Sequence, residues 1–260
     1  MTRVSVRRGR NNIIFVAPHA PDDQFTGDMT KHIAELTDSY MVINNGFKRA
    51  RVPDSTQDLG DCNRIDHLVN EPVLNAEFLS PLLRYKKIIT NQDEPCFIFY
   101  IHGFNKNIIE KHGSNIDLII GYGRGSTNSF TCEKWRKDIL QANLEKRDDW
   151  AEEATIHVPG FGSFKNDLDR KWEIYIAQKG SMFAARNLNN LCQYFAPLSK
   201  NYSPSVHALQ LEFAPHLRKN QKVAIEAINF FGQSFSTAFI EMRKNQPARK
   251  VHIQEKFLKF

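Results

Sequence analysis

Two histidines and a pair of neighbouring aspartates follow apolar segments of the chain, where they could bind a metal ion. His19 leads into Asp22 and Asp23 directly after one apolar run, and His102 directly follows another. Imidazole and carboxylate groups are the ligands of catalytic zinc, which takes three protein ligands and keeps one position open for water. The sequence therefore predicts a metal site formed by His19, His102 and either Asp22 or Asp23.

Each of these residues also has a simpler interpretation. Asp22 or Asp28 could cap a helix that begins near Met29. A histidine at the end of a buried strand, such as His102, could serve only to complete local hydrogen bonds. The metal hypothesis depends on the histidines and an aspartate being brought together by the fold.

A carboxylate that could act as general base lies late in the chain. Apolar and polar residues alternate over 206–213, so that Gln210 and Glu212 share one face of a predicted strand. Glu212 could take the proton of a water that a metal activates. An edge strand that turns this carboxylate towards solvent would explain the pattern equally well.

Two segments that contain arginine could bind substrate. Asn63 and Arg64 end the motif Asp-Cys-Asn-Arg at 61–64, and a guanidinium with a neighbouring amide suits bidentate capture of a carboxylate. A surface salt bridge is the alternative for Arg64. Arg124 lies in a glycine-rich turn over 121–126 that lacks dinucleotide-binding spacing, and we interpret this turn as lining the site.

The elements that must position these residues alternate between strands and helices. Apolar runs predict strands over 12–17, 40–44, 96–101, 117–120 and 206–213, and helical periodicity predicts helices over 29–37, 75–86, 134–147 and 222–242. Such alternation indicates an α/β sheet with helices on both faces. Ligands of open α/β sheets bind at the carboxyl ends of the strands, where the polar clusters lie.

Composition excludes several classes of protein. The 260 residues contain 41% hydrophobic and 25% charged residues, which excludes a disordered, collagen-like or coiled-coil chain. No linker or repeat divides the sequence, so we expect one domain over 1–260. No apolar run reaches the ~18 residues of a membrane span, and the basic N-terminus lacks the apolar core of a secretory signal.

Charge and cysteine usage limit the partners and the location. There are 35 Lys and Arg against 29 Asp and Glu, a net charge of +6. The basic termini are interpreted as solvated ends, so neither nucleic acid nor a membrane is an expected partner. The four cysteines show no Cys-x-x-Cys spacing, which is typical of reduced thiols and predicts a cytoplasmic location.

Taken in order, these motifs resemble the N-formylglutamate amidohydrolase family. The resemblance rests on His19 with the aspartates after it, the Asp-x-Asn-Arg motif at 61–64, the His-Gly pair at 102–103, the segment 117–121 and Gln-Leu-Glu at 210–212. It spans roughly residues 13–242. The first motif is Pro-His-Ala-Pro, where the family more often has Pro-His-Ser-Gly, so the chain would be a divergent member.

The resemblance implies a fold, a cofactor and a role for each residue. The family is similar in fold to the zinc carboxypeptidases, a three-layer α/β/α sandwich with a mixed central sheet. Its implied cofactor is one zinc ion per chain, held by His19, His102 and one of the two aspartates. Glu212 would be the base, and Asn63 with Arg64 would hold the substrate carboxylate.

Three hypotheses about function follow. The first is a zinc-dependent amidohydrolase of an N-acyl amino acid or small acidic peptide. The second is a related hydrolase of poly-γ-glutamate or another anionic peptide, which the basic charge favours slightly. The third is a non-catalytic binding protein on the same fold.

Overall fold

Apolar strands form the centre of the molecule. The structure is a computed structural model that describes residues 2–49, 60–92, 96–105, 118–121, 123, 174–177, 182–195 and 206–219. Its strands are β1 (Val4–Arg7), β2 (Ile13–Ala17), β3 (Tyr40–Asn44), β4 (Cys96–Gly103), β5 (Leu118–Gly121), β6 (Ile174–Ile176) and β7 (Val206–Phe213). The predicted helices over 134–147 and 222–242 lie outside the described residues, as does Arg124.

The seven strands form one mixed sheet in the order β1-β3-β2-β4-β7-β5-β6. Strands β3, β2, β4 and β7 are parallel to one another, β1 is antiparallel to β3, and β5 is antiparallel to β7. Because the central strands are parallel, their carboxyl ends meet at one edge of the sheet, and the loops that follow them converge there.

Helices connect and cover the strands. They are α1 (Thr26–Leu36), α2 (Ile65–Asn70), α3 (Pro72–Leu74), α4 (Ser80–Thr90), α5 (Leu191–Phe195) and α6 (Pro215–Lys219). A π-helical turn, Asn75–Leu79, joins α3 to α4. In α4, the buried residues Leu82, Tyr85 and Ile89 recur at the spacing of one helix face, which explains why this helix packs on the sheet.

The helices lie on both faces of the sheet. Alternate residues of β3 show this most simply: Tyr40 and Val42 belong to the core cluster that contains the buried face of α4. Ile43 points the other way, where it lies against Gly27 at the start of α1. The predicted α/β class with helices on both faces of a mixed sheet is therefore confirmed.

Individual elements agree with the sequence to different degrees. The strand predicted over 206–213 and the strand over 40–44 match β7 and β3, and β4 continues two residues beyond its predicted end. Strand β1 was not predicted, because Arg7 within it and Arg3 before it were interpreted as part of a solvated end. Instead Arg3 pairs with Glu77, and Arg7 pairs with Asp38. None of the described helices is long and apolar enough to cross a membrane.

Candidate metal centre and active site

The two predicted histidines meet at the carboxyl edge of the sheet. His19 lies two residues beyond β2, and His102 is the penultimate residue of β4. Strands β2 and β4 are parallel neighbours, with Val16 opposite Tyr100, so their ends lie side by side. The imidazole rings pack edge to face with 4.8 Å between their centroids, and both side chains are buried.

Asp23 lies between these histidines. Its Oδ2 is 3.3 Å from Nδ1 of His102 and 3.7 Å from Nδ1 of His19, and it accepts a 3.3 Å hydrogen bond from the Gly103 N–H. Burial alone would raise the pKa of Asp23, but the neighbouring imidazoles of His102 and His19 hold it far below its usual value. Asp23 is therefore ionised among the two imidazoles.

Asp22 points to a different partner. Its Oδ2 accepts hydrogen bonds from the main-chain N–H and the Nε of Arg49, at 3.0 and 3.3 Å. The same guanidinium reaches Oδ1 of Asp23 through Nη2, at 2.9 Å. The arrangement favours Asp23 over Asp22 as the third ligand, because only Asp23 has an oxygen directed at both histidines.

The residues present suit a metal ion. One ligand atom from each of His19, Asp23 and His102 lies within 4.8 Å of the others. Nδ1 of His19 and Nε2 of His102 are buried and accept or donate no hydrogen bond within the described part of the chain. Buried polar atoms normally have a partner. A cation shared with Asp23 would supply one to Nδ1 of His19, which lies 3.7 Å from Oδ2 of Asp23.

Asp61 fixes the ring of His19. Its Oδ1 lies 2.6 Å from Nε2 of His19 and also accepts the Asn63 main-chain N–H at 2.8 Å. Burial would raise the pKa of Asp61, but His19 and Asn63 outweigh it and lower the value to about 2. A carboxylate on the second nitrogen of a ligand histidine orients the ring and raises its basicity.

Glu212 is brought to the same site by the register of the sheet. It lies opposite His102 in the parallel pairing of β4 with β7, and its side chain is buried. Because β7 lies between β4 and β5, the alternative of a solvent-facing edge strand is wrong. Burial raises the pKa of Glu212, and the charge of Asp23 adds to the rise.

A chain of amides holds the Glu212 carboxylate. Nε2 of Gln210 donates to Oε1 of Glu212 at 2.9 Å, and Nδ2 of Asn190 donates to Oε1 of Gln210 at 3.1 Å. Gln210 and Glu212 therefore share one face of β7, as the alternation of the sequence predicted. The hydrogen bonds leave Oε2 of Glu212 as the oxygen for a further partner.

The two residues of the predicted carboxylate clamp differ in environment. Asn63 is buried, and its Oδ1 has no partner among the described residues. The Arg64 guanidinium is exposed and forms two parallel bonds to Asp66, Nε to Oδ1 at 3.1 Å and Nη2 to Oδ2 at 2.5 Å. The surface salt bridge named as the alternative for Arg64 thus exists, and the clamp stays a prediction.

Three further residues around the site did not follow from the sequence. Asp61 was part of a recognised motif, but nothing in the spacing assigned it to His19. Arg49 lies in a loop without a distinctive pattern, and Asn190 comes from the segment 182–195, for which no role was predicted. An Asn-Leu-Asn-Asn run before the helix at 191 is the one local signal that could have pointed to Asn190.

Comparison with known proteins gives structural neighbours only. No protein-family model and no curated protein matches the chain. Among solved structures, a gene product of Agrobacterium tumefaciens is similar over 94% of this chain and 97% of its own, with 11% identity and a TM-score of 0.50. The two chains share a fold.

Two hydrolases are among the other similar structures. An N-formylglutamate amidohydrolase from Ralstonia eutropha JMP134 aligns with 94% of this chain and 100% of its own, at 8% identity and a TM-score of 0.47. A bacteriophage poly-γ-glutamate hydrolase aligns with 94% of this chain and 90% of its own, at 14% identity and a TM-score of 0.40. Because such similarity concerns the fold, the chemistry must be argued from the side chains.

Proposed function

We propose that this protein is a metal-dependent hydrolase that cleaves the amide bond of an N-acyl amino acid or a small acidic peptide, with one zinc ion per chain. One observation carries the proposal. Two buried imidazoles, an ionised Asp23 and the buried Glu212 converge at the carboxyl edge of one sheet, and each imidazole has a nitrogen without a partner among the described residues. Three ligands and a nearby carboxylate base are the minimum set for hydrolysis at a metal.

His19, Asp23 and His102 would hold the ion. Two imidazoles and one carboxylate suit zinc, whose nitrogen and oxygen ligands lie about 2.0–2.2 Å away. The charge of the described residues around the site agrees with a divalent cation. Four carboxylates and two guanidinium groups lie there, which leaves −2 when all are ionised: Asp22, Asp23, Asp61 and Glu212 against Arg49 and Arg218. When bound, the ion would polarise the scissile carbonyl and make water more acidic.

Glu212 is the general base of the proposed reaction. As the oxygen of water attacks the carbonyl carbon, Glu212 accepts the proton that the water loses. It then gives this proton to the amide nitrogen as the carbon–nitrogen bond breaks, so that the products are a carboxylic acid and a free amine. Its raised pKa suits both steps, because a base works best when its pKa lies near the working pH.

The substrate is proposed to be anionic. Asn63 lies two residues beyond Asp61, the partner of His19, so the 61–64 motif borders the site. Arg64 could exchange the exposed carboxylate of Asp66 for that of a substrate, since both would take the same two parallel bonds. The net charge of +6 favours the approach of anions.

Turnover by the zinc-loaded protein tests the proposal. We would measure hydrolysis of N-formylglutamate, short γ-glutamyl peptides and poly-γ-glutamate by wild type, Glu212→Gln and Glu77→Gln. Glu77→Gln is the matched control, because Glu77 pairs with Arg3 away from the site. Loss of the base should lower kcat by about 10²–10⁴ in Glu212→Gln alone, with zinc retained.

The substrate series also separates the alternatives. A rate that rises steeply with chain length would favour a hydrolase of longer anionic peptides. A zinc-loaded wild-type protein that cleaves none of these amides, or a fully active Glu212→Gln protein, would overturn the proposed function.

A further inference from the structure

Arg218 joins the two loops that carry the candidate metal ligands. Its Nη1 donates to the carbonyl oxygen of Gln24, directly after Asp23, and its Nη2 donates to that of Phe104, two residues after His102, both at 2.9 Å. The side chain is buried, with 6% of its surface exposed. One rigid guanidinium thus spans the segments that follow β2 and β4.

Gly103 provides the space for this guanidinium. A Cβ at position 103 would lie 2.5 Å from both Cζ and Nε of Arg218, far inside van der Waals contact. Gly103 also donates its main-chain N–H to Oδ2 of Asp23. The close approach of Arg218 to the backbone therefore explains, on steric grounds, why a glycine follows His102.

The charge of Arg218 is buried beside acidic groups to which it is not directly bonded. Its hydrogen bonds to described residues go to carbonyl oxygens, while Asp23 and Glu212 are the carboxylates whose charges favour its protonated form. Burying a cation is costly unless nearby groups compensate it. A guanidinium in this place stabilises the ionised carboxylates of the site as well as the spacing of its loops.

We propose that Arg218 is a positioning residue, which holds the loops after β2 and β4 at the separation that lets Asp23 and His102 share one metal ion. The inference rests on the proposed function, since it presupposes that a metal binds. It goes beyond that function, because Arg218 donates to main-chain carbonyl oxygens and to no candidate ligand side chain of the described residues. A purely structural role would affect stability without changing the coordination of the metal.

Arg7 offers a matched control. It is also a partly buried arginine that donates to two main-chain carbonyl oxygens, Ala34 at 3.2 Å and Ser39 at 2.8 Å. Because Arg7 lies opposite Met41, at the amino end of β3, it is at the other end of the sheet from the site. Losing its hydrogen bonds should affect stability and leave the metal site intact.

The test is titration of the full chain with Co²⁺, whose visible spectrum reports coordination geometry, and competition with a chelator to obtain the dissociation constant. The variants are Arg218→Met, Arg218→Lys, Gly103→Ala and the control Arg7→Met, with Tm measured for each. We expect the dissociation constant to rise about 10–100-fold in Arg218→Met and Gly103→Ala, with an altered spectrum. Arg218→Lys should recover part of the loss, and Arg7→Met should bind as wild type.

If folded Arg218→Met and Gly103→Ala proteins have the wild-type dissociation constant and spectrum, the inference about Arg218 is overturned and the proposed function is not. If Arg218→Met does not fold, Gly103→Ala and Arg218→Lys decide the question by the same two readouts. A wild-type protein that takes up no Co²⁺ would overturn the proposed function together with the inference.

Discussion

At the scale of single residues, Asp61 gives the sharpest prediction. Its carboxylate lies 2.6 Å from Nε2 of His19 and orients that ring. We expect Asp61→Asn to weaken zinc binding by about 10–100-fold, because an amide orients the imidazole less strongly than a carboxylate does. The measurement is the zinc dissociation constant by chelator competition. Asp66→Asn is the control, and equal constants for wild type and Asp61→Asn would contradict the role of Asp61.

Arg64 gives a second prediction at this scale. Arg64→Ala should raise KM for anionic substrates roughly ten- to a hundredfold with little change in kcat, because a hydrogen bond between charged groups contributes about 1.5–3 kcal/mol. The comparison is between a carboxylate substrate and its carboxamide analogue. If Arg64→Ala keeps the wild-type preference for the carboxylate, Arg64 does not recognise it.

The residue types of the site could be predicted, but their pairing could not. Polar residues directly after apolar runs identified His19 and His102, because the ends of parallel strands meet in space. The alternation of apolar and polar residues over 206–213 identified Glu212. The choice between Asp22 and Asp23 depends on how the loop turns and on Arg49, which takes Asp22 as its partner. No sequence period describes such a loop.

At the scale of secondary structure, the ion pairs of Asp38 give a prediction about pH. Asp38 accepts hydrogen bonds from Arg10 and from Arg7, and these lower its pKa. Asp38→Asn should reduce the free energy of unfolding at neutral pH by about 0.5–1 kcal/mol, because the pairs are partly exposed. Asparagine tolerates the left-handed backbone found there, φ 53°, so the backbone adds little to the effect.

The sign of the pH dependence follows from the lowered pKa. The stabilisation is present above the pKa of the unfolded carboxyl, about 3.9, and is lost as the pH falls through the lower folded value. The difference between wild type and Asp38→Asn should therefore shrink below about pH 4 in urea unfolding. The control is Glu35→Gln, which changes an exposed carboxylate on α1. If the free energies of unfolding of wild type and Asp38→Asn differ by the same amount down to pH 2, the account is contradicted.

Strands and helices with a clear pattern of apolar residues were predicted well, whereas those that depend on contacts with residues distant in sequence were not. Strands β3 and β7 match their predictions because every residue of each is buried in the sheet. Strand β1 has only four residues, and Arg7 within it and Arg3 before it pair with Asp38 and Glu77, which are distant in sequence. The π-helical turn before α4 interrupts a helical stripe that the sequence shows as continuous.

At the scale of the whole molecule, the burial of the cysteines predicts their reactivity. Cys62, Cys96 and Cys192 are reduced and buried, and burial raises the thiol pKa of Cys62 and Cys96 well above the usual value. In a Cys132→Ser background, we expect the folded protein to show almost no reaction with a thiol reagent. After denaturation, three thiols should react. Rapid labelling of one of the three in the folded protein would contradict this.

Zinc content tests the central claim most directly, since the proposed function and the roles of Asp61, Glu212 and Arg218 presuppose a metal at His19, Asp23 and His102. The measurement compares wild type with His102→Ala and with the control His32→Ala, which changes an exposed histidine of α1. Each protein would be dialysed against zinc and freed of excess metal, and the zinc content of the folded fraction would be measured. We expect about one zinc ion per chain in wild type and His32→Ala, and almost none in His102→Ala. A zinc-free wild-type protein, or a folded His102→Ala protein with a full ion, would contradict the account.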